Sequence, residues 1–169
     1  MKRILIGWMA ALSALLCACS AQTVWETVDG GCVPAEGGAA YAIRIALPQD
    51  AVEEVFAERG ARQIYTQPGG GYEITTEILD AAPAAAIVRR LSGFDASALH
   101  VYKSGGKERP VWQFAWYAAS DEGGRLYRCK VISEGAHCYA LTVSVPEGAG
   151  TSYDTMLTEV FSSMELQPV

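Results

Sequence analysis

Val111-Trp-Gln-Phe-Ala-Trp-Tyr-Ala-Ala119 alternates large apolar residues with smaller or polar ones, so Trp112, Phe114, Trp116 and Ala118 fall on one side of an extended chain and Gln113, Ala115 and Tyr117 on the other. Burying each large apolar side chain contributes about 1.5–3 kcal/mol. Three aromatics in one row therefore make this stretch the central strand of a sheet, and its neighbours can be registered against it. Downstream, residues 99–145 read as an antiparallel meander broken at Gly105-Gly106-Lys107, Asp121-Glu122-Gly123-Gly124 and Ser133-Glu134-Gly135. Matching faces sets Trp116 opposite Tyr127 and Trp112 opposite Val131, with a four-residue loop at 120–123. Setting Cys129 opposite Tyr139 leaves a three-residue loop ending in Gly135. One face then carries Trp112, Phe114, Trp116, Tyr127, Cys129, Val131, Tyr139, Leu141 and Val143; the other carries Arg128, Lys130, Cys138, Thr142 and Ser144.

Upstream of the meander, Thr23-Val-Trp-Glu-Thr-Val28 has strand composition and ends at Asp29-Gly30-Gly31. Tyr41-Ala-Ile-Arg-Ile-Ala-Leu47 alternates and stops at Pro48. Asp50 is placed to cap a short helix over residues 51–58. Residues 62–67 and 72–79 form a hairpin about Pro68-Gly69-Gly70-Gly71, which lacks the spacing of a phosphate-binding loop. Pro83 opens a helix that directs Ile87, Val88 and Leu91 inward and ends at Gly93. Tyr153, Met156, Leu157, Val160, Phe161 and Met164 keep the spacing of one helical face, with Thr151 or Ser152 as cap. This last helix is expected across the aromatic face.

The chain begins with Met1-Lys-Arg3 and an apolar run from Ile4 to Leu16, shorter than the roughly 20 residues of a membrane span. Residues 1–18 read as a secretory signal. Its end, Leu16-Cys17-Ala18-Cys19, resembles the bacterial lipobox, and that resemblance implies cleavage before Cys19 and acylation of its sulfur and new amino group. Two acyl chains hold a protein to a bilayer where one holds marginally. The alternative is cleavage after Ala21 with no anchor. Residues 19–24 are a short linker of about 20 Å at most, and 25–169 form a single domain. No later segment is long and apolar enough to span a bilayer. The expected location is the extracytoplasmic face of the cell membrane, held by lipid.

The net charge of the whole chain is −6, and losing Lys2 and Arg3 makes the exported part more acidic. Such a surface repels nucleic acid. His100 and His137 have no metal-ligand spacing, no serine sits in G-x-S-x-G, and Glu73 and Glu77 lie about 13 Å apart on one strand face. No catalytic, cofactor-binding or metal-ligating residue is assigned. Cys32, Cys129 and Cys138 remain after Cys19. The register above separates Cys129 from Cys138, leaving Cys32 and Cys138 as the possible disulfide, against three free thiols.

The fold class is α+β, an antiparallel β-sheet meander packed by two or three helices as an α/β/α sandwich. Cys138-Tyr-Ala-Leu-Thr-Val-Ser-Val-Pro-Glu147, leading into Tyr153 and Phe161-Ser-Ser-Met-Glu-Leu166, resembles the end of the PsbP/Mog-like sandwich domains of small bacterial lipoproteins. The resemblance implies a domain used for docking to other proteins and brings no catalytic residues. The expected function is a membrane-anchored interaction or accessory module with a protein partner. Two alternatives stand beside it: a carrier of a small apolar ligand or lipid, in a pocket against the Trp112/Phe114/Trp116 face, and an extracytoplasmic hydrolase.

Overall fold

The computed structural model describes residues 25–29, 41–54, 62–120 and 123–169. Strands β1 (Trp25–Asp29) and β2 (Tyr41–Pro48) pair antiparallel. Strands β3 (Val52–Glu54), β4 (Arg62–Thr66) and β5 (Glu73–Asp80) follow, then helix α1 (Ala84–Ser92) and a 3-10 turn at Ala96–Ala98. Strands β6 (Tyr102–Gly105), β7 (Pro110–Ser120), β8 (Gly123–Glu134) and β9 (His137–Pro146) make the meander. Helix α2 (Gly150–Ser163) and strand β10 (Glu165–Pro168) close the chain. The large sheet runs β3-β4-β5-β9-β8-β7-β6, so β9 is its central strand and β7, expected there, lies next to the β6 edge; a small sheet runs β1-β2-β10. The α+β reading is the observed class, and the small sheet, which was not expected, shares the α2 side.

Two cores follow from two covered faces. On one, Trp112, Phe114, Trp116, Cys129, Val131, Cys138 and Ala140 pack under Ile87 and Val88 of α1. On the other, Tyr139, Leu141, Val143 and Val145 pack against Met156, Leu157 and Val160 of α2 and Ile43, Ile45 and Leu47 of β2. The aromatic row is buried as its alternation requires, with Trp116 stacked on Phe114 at 5.6 Å and on Tyr127 at 5.0 Å between ring centroids. Trp116 does pair with Tyr127 and Trp112 with Val131, but the ladder closes further, to Ser120 and Gly123. Residues 121–122 lie outside the described residues.

The β8–β9 register differs from the expectation. Cys129 faces Thr142, and the pairs Ser133–Cys138 and Glu134–His137 flank a two-residue turn at Gly135-Ala136. Ser133 and Glu134 have turn-like chemistry, yet only one position here needs a left-handed backbone, and Gly135 supplies it at φ 59°. A two-residue turn with glycine first is a favoured hairpin connection. The offset is odd, so every β9 side chain changes face. Cys138 joins Cys129 on the aromatic side, while Tyr139, Leu141 and Val143 leave it. Accordingly, α2 packs on the face opposite the aromatic row.

Other elements differ locally. Residues 52–54 are a strand paired with β4 and not the start of a helix; residues 55–61 lie outside the described residues. The Asp50 carboxylate does not cap, because it accepts from Tyr72 Oη at 2.6 Å and Gln67 Nε2 at 2.7 Å. Helix α2 begins at Gly150 after Ala149 without a side-chain cap from Thr151 or Ser152. Helix α1 ends as expected: Gly93 sits at φ 79°, and its N–H donates to the Arg89 carbonyl at 2.8 Å. Strand β10, which pairs with β2, was not foreseen.

Candidate functional site

Helix α2 lies against β2 and β9, and beyond Ile132 and Val111, which join that core, the β7–β8 part of the sheet face is left open. The period of two places Gln113, Ala115 and Tyr117 of β7 there, facing Lys130, Arg128 and Leu126 of β8 respectively. Beside them, Leu157, Thr158, Phe161 and Ser162 form the flank of α2, and His100 and Tyr102 stand at the β6 rim. These walls enclose an open cleft of about 620 Å³.

The two cations of the cleft have different roles. Lys130 Nζ donates to the carbonyls of Phe161 at 2.8 Å and Met164 at 3.5 Å, meeting the orphan acceptors at the end of α2 with a charge of the favoured sign. Burial pulls its pKa below the ordinary lysine value. Arg128 is exposed on the floor. None of the residues lining the cleft is a carboxylate, although the chain as a whole is acidic. At the far end of the same face the Tyr117 ring lies over Gly124, and its hydroxyl donates to Glu147 at 2.8 Å, which raises the phenol pKa. Tyr117, Leu126 and Tyr102 keep 45 %, 36 % and 59 % of their surface exposed. The floor offers hydrogen-bond donors and apolar contact together.

Residues singled out from the sequence fall elsewhere. Cys19 and Cys32 lie outside the described residues. Cys138 and Cys129 are buried on one face with no bond between them, which removes the argument that set them on opposite faces; the expected Cys32–Cys138 pair involves a residue outside those described. Burial pushes the Cys129 thiol up to about 12, and Thr142 Oγ1 donates to its sulfur at 3.4 Å. His100 is in coil at the cleft rim and not in a strand; His137 is in β9 beside its turn. Glu77 pairs with Arg90 at 3.5 Å, and Glu73 accepts from Thr75 Oγ1 at 3.3 Å. Among the described residues no three His, Cys, Asp or Glu side chains are grouped to hold a metal ion. The ligand pocket expected against Trp112, Phe114 and Trp116 is filled by α1, which leaves those residues 8 %, 4 % and 8 % exposed. The cleft was missed because it belongs to the second face of the same strands. The signal was present in Gln113, Ala115 and Tyr117 alternating with the aromatic row.

A mostly antiparallel sheet with α1 on one face and α2 on the other is the PsbP-like α+β fold. The solution structure of cyanobacterial PsbP (CyanoP) from Synechocystis sp. PCC 6803 matches at TM-score 0.59 and 10% identity, over 90% of this chain and 99% of that one. The crystal structure of LpqN, involved in cell envelope biogenesis of Mycobacterium tuberculosis, matches at 0.54 and 14%, over 85% and 92%. A crystal structure from Bacteroides thetaiotaomicron VPI-5482 matches at 0.50 and 14%, over 83% and 49%. At these identities the likeness is one of fold. No protein-family model matches the chain, and no curated protein matches its sequence. Among the described residues no helix is long and apolar enough to cross a membrane.

Proposed function

We propose that this chain is a lipid-anchored, extracytoplasmic accessory protein that works by binding a protein partner and not by catalysis. The observation that carries the binding reading is the open β7–β8 face beside α2, where exposed Tyr117, Leu126 and Arg128 stand on a rigid, twelve-residue and eleven-residue strand pair. Sites built on strands of a packed sheet hold their geometry without a ligand. The anchor reading rests on Leu16-Cys17-Ala18-Cys19 behind a basic start and an apolar run. The fold is shared with an envelope-biogenesis protein, which accords with an extracytoplasmic role.

Two measurements test this reading. Cys19→Ala is expected to abolish incorporation of labelled fatty acid and to leave the protein unprocessed or released; a mature protein starting at Gln22 with no added mass overturns the anchor. Crosslinking of the membrane-bound protein in its own cells, followed by pull-down, is expected to recover a protein through Ala115 or Leu126. Recovery unchanged by Ala115→Trp would remove the open face as the binding surface.

A further inference from the structure

We propose that the open β7–β8 face receives an acidic amphipathic helix of the partner protein, laid beside α2 as the missing member of that layer. The inference rests on the accessory reading above and adds the chemistry of what binds. A sheet buries its apolar surface against a further layer. Here α2 and β2 cover β5 and β9 and reach Ile132 and Val111 at one end of the β7–β8 pair, with Leu157, Val160, Ile43 and Ile45 fully or almost fully buried, and leave Gln113, Ala115, Tyr117, Leu126 and Arg128 uncovered. The part left open carries apolar side chains beside its polar ones. Ala115 is small enough for a helix to approach closely, while Tyr117 and Leu126, paired across the strands, offer apolar area.

Charge decides the sign of the partner. Arg128 and Lys130 stand on the floor with His100 at the rim, and no carboxylate lines the cleft. Lys130 is held by the α2 carbonyls, so Arg128 is the guanidinium available to an incoming carboxylate, with the planar two-pronged geometry that carboxylates match. At the Tyr117 end the Glu147 carboxylate already accepts the phenol's hydrogen bond, and a second negative charge there is disfavoured. The partner helix is therefore oriented: its acidic side chain lies at Arg128, and its apolar stripe runs over Ala115 toward Tyr117 and Leu126. A protein segment fits better than a small ligand, because small-molecule sites bury about 70–90% of their occupant, whereas this cleft opens onto the exposed sheet face.

The test uses the full chain in phosphatidylcholine nanodiscs, with empty discs as reference, and two fluorescent synthetic helices of identical apolar stripe, flanked by Glu in one and Lys in the other. Fluorescence anisotropy is expected to show the Glu helix binding up to about fivefold tighter, the scale of one exposed ion pair. Arg128→Glu is expected to invert that preference, and Ala115→Trp to weaken both helices by occupying the floor. Equal binding of the two helices, or a preference unmoved by Arg128→Glu, overturns the proposal. Dodecyl phosphate binding that depends on Arg128 while neither helix binds also overturns it, in favour of a small anionic amphiphile. A natural partner captured through α1 or the β3 edge overturns this inference and leaves the accessory reading standing.

Discussion

Ser133 stands directly across from Cys138, one pair beyond the Glu134–His137 pair that closes the β8–β9 turn. In a two-residue hairpin the closing pair is hydrogen-bonded, so the next pair outward is the close kind, with Cα atoms about 4.5 Å apart. That separation lies inside the range a disulfide bridges, about 4.4–6.8 Å. Ser133→Cys is therefore expected to form a bond with Cys138 during folding, since Cys138 has no exposed surface once folded. The closed loop is about six residues, for which the chain-entropy relation gives about 2 kcal/mol of stabilisation. Cys129 does not compete: it faces Thr142, four residues along β9 from Cys138, about 13 Å away at strand rise. The assay is non-reducing peptide mapping together with urea unfolding with and without reductant. A linked peptide and a reductant-sensitive gain of about 2 kcal/mol are expected. No link in a folded, oxidised protein would refute the register. So would a link between Cys138 and the thiol of a Lys130→Cys variant, because a register with Cys129 across from Tyr139 puts Lys130 opposite Cys138. In the unsubstituted protein the same map reads whether Cys32 pairs with Cys138.

Phe114, 4 % exposed and stacked on Trp116, should cost about 3–5 kcal/mol when changed to Ala, whereas exposed Gln113→Ala should stay within about 0.5 kcal/mol by chemical unfolding; equal costs would mean that the strand's period is misread. Gly105 turns the β6–β7 hairpin at φ 79°, and a Cβ there would run into the Arg109 carbonyl oxygen, so Gly105→Ala should lower the melting temperature where Gly106→Ala, with open space, does not. Glu134 accepts a hydrogen bond from the Arg109 guanidinium, which holds its carboxyl below the usual value. Its folded pKa is depressed, so its contribution is present above the unfolded value of about 4.3 and is lost as pH falls through the lower folded one. Glu134→Gln should flatten that part of the acid unfolding curve, and an unchanged curve would count against the pair.

The sequence alone determined the elements whose limits are set by local chemistry. Pro48 ends β2, and Gly93 ends α1 because a left-handed position there costs glycine nothing sterically. The β7–β8 register was legible for a related reason. Trp112, Phe114 and Trp116 alternate with Gln113, Ala115 and Tyr117, so a one-residue slip would expose the aromatic row. The proposal of an exported, lipid-held chain rests on the sequence of residues 1–19 alone.

Only the tertiary structure decided the β8–β9 register and the face that α2 covers. In β9 successive residues Cys138, Tyr139, Ala140 and Leu141 are all buried, so neither set is marked as the solvent side and the pattern is compatible with either parity. The choice fell to the Gly135 turn, which is settled by backbone geometry and not by hydrophobicity. Helix α2 has one apolar stripe, but two apolar faces of the large sheet were available to it, and it joined the one on which Ile43, Ile45 and Leu47 of β2 also pack. The cleft is a consequence of that choice: Gln113, Ala115 and Arg128 become a concave site only because α2 stops at β9 and stands beside them.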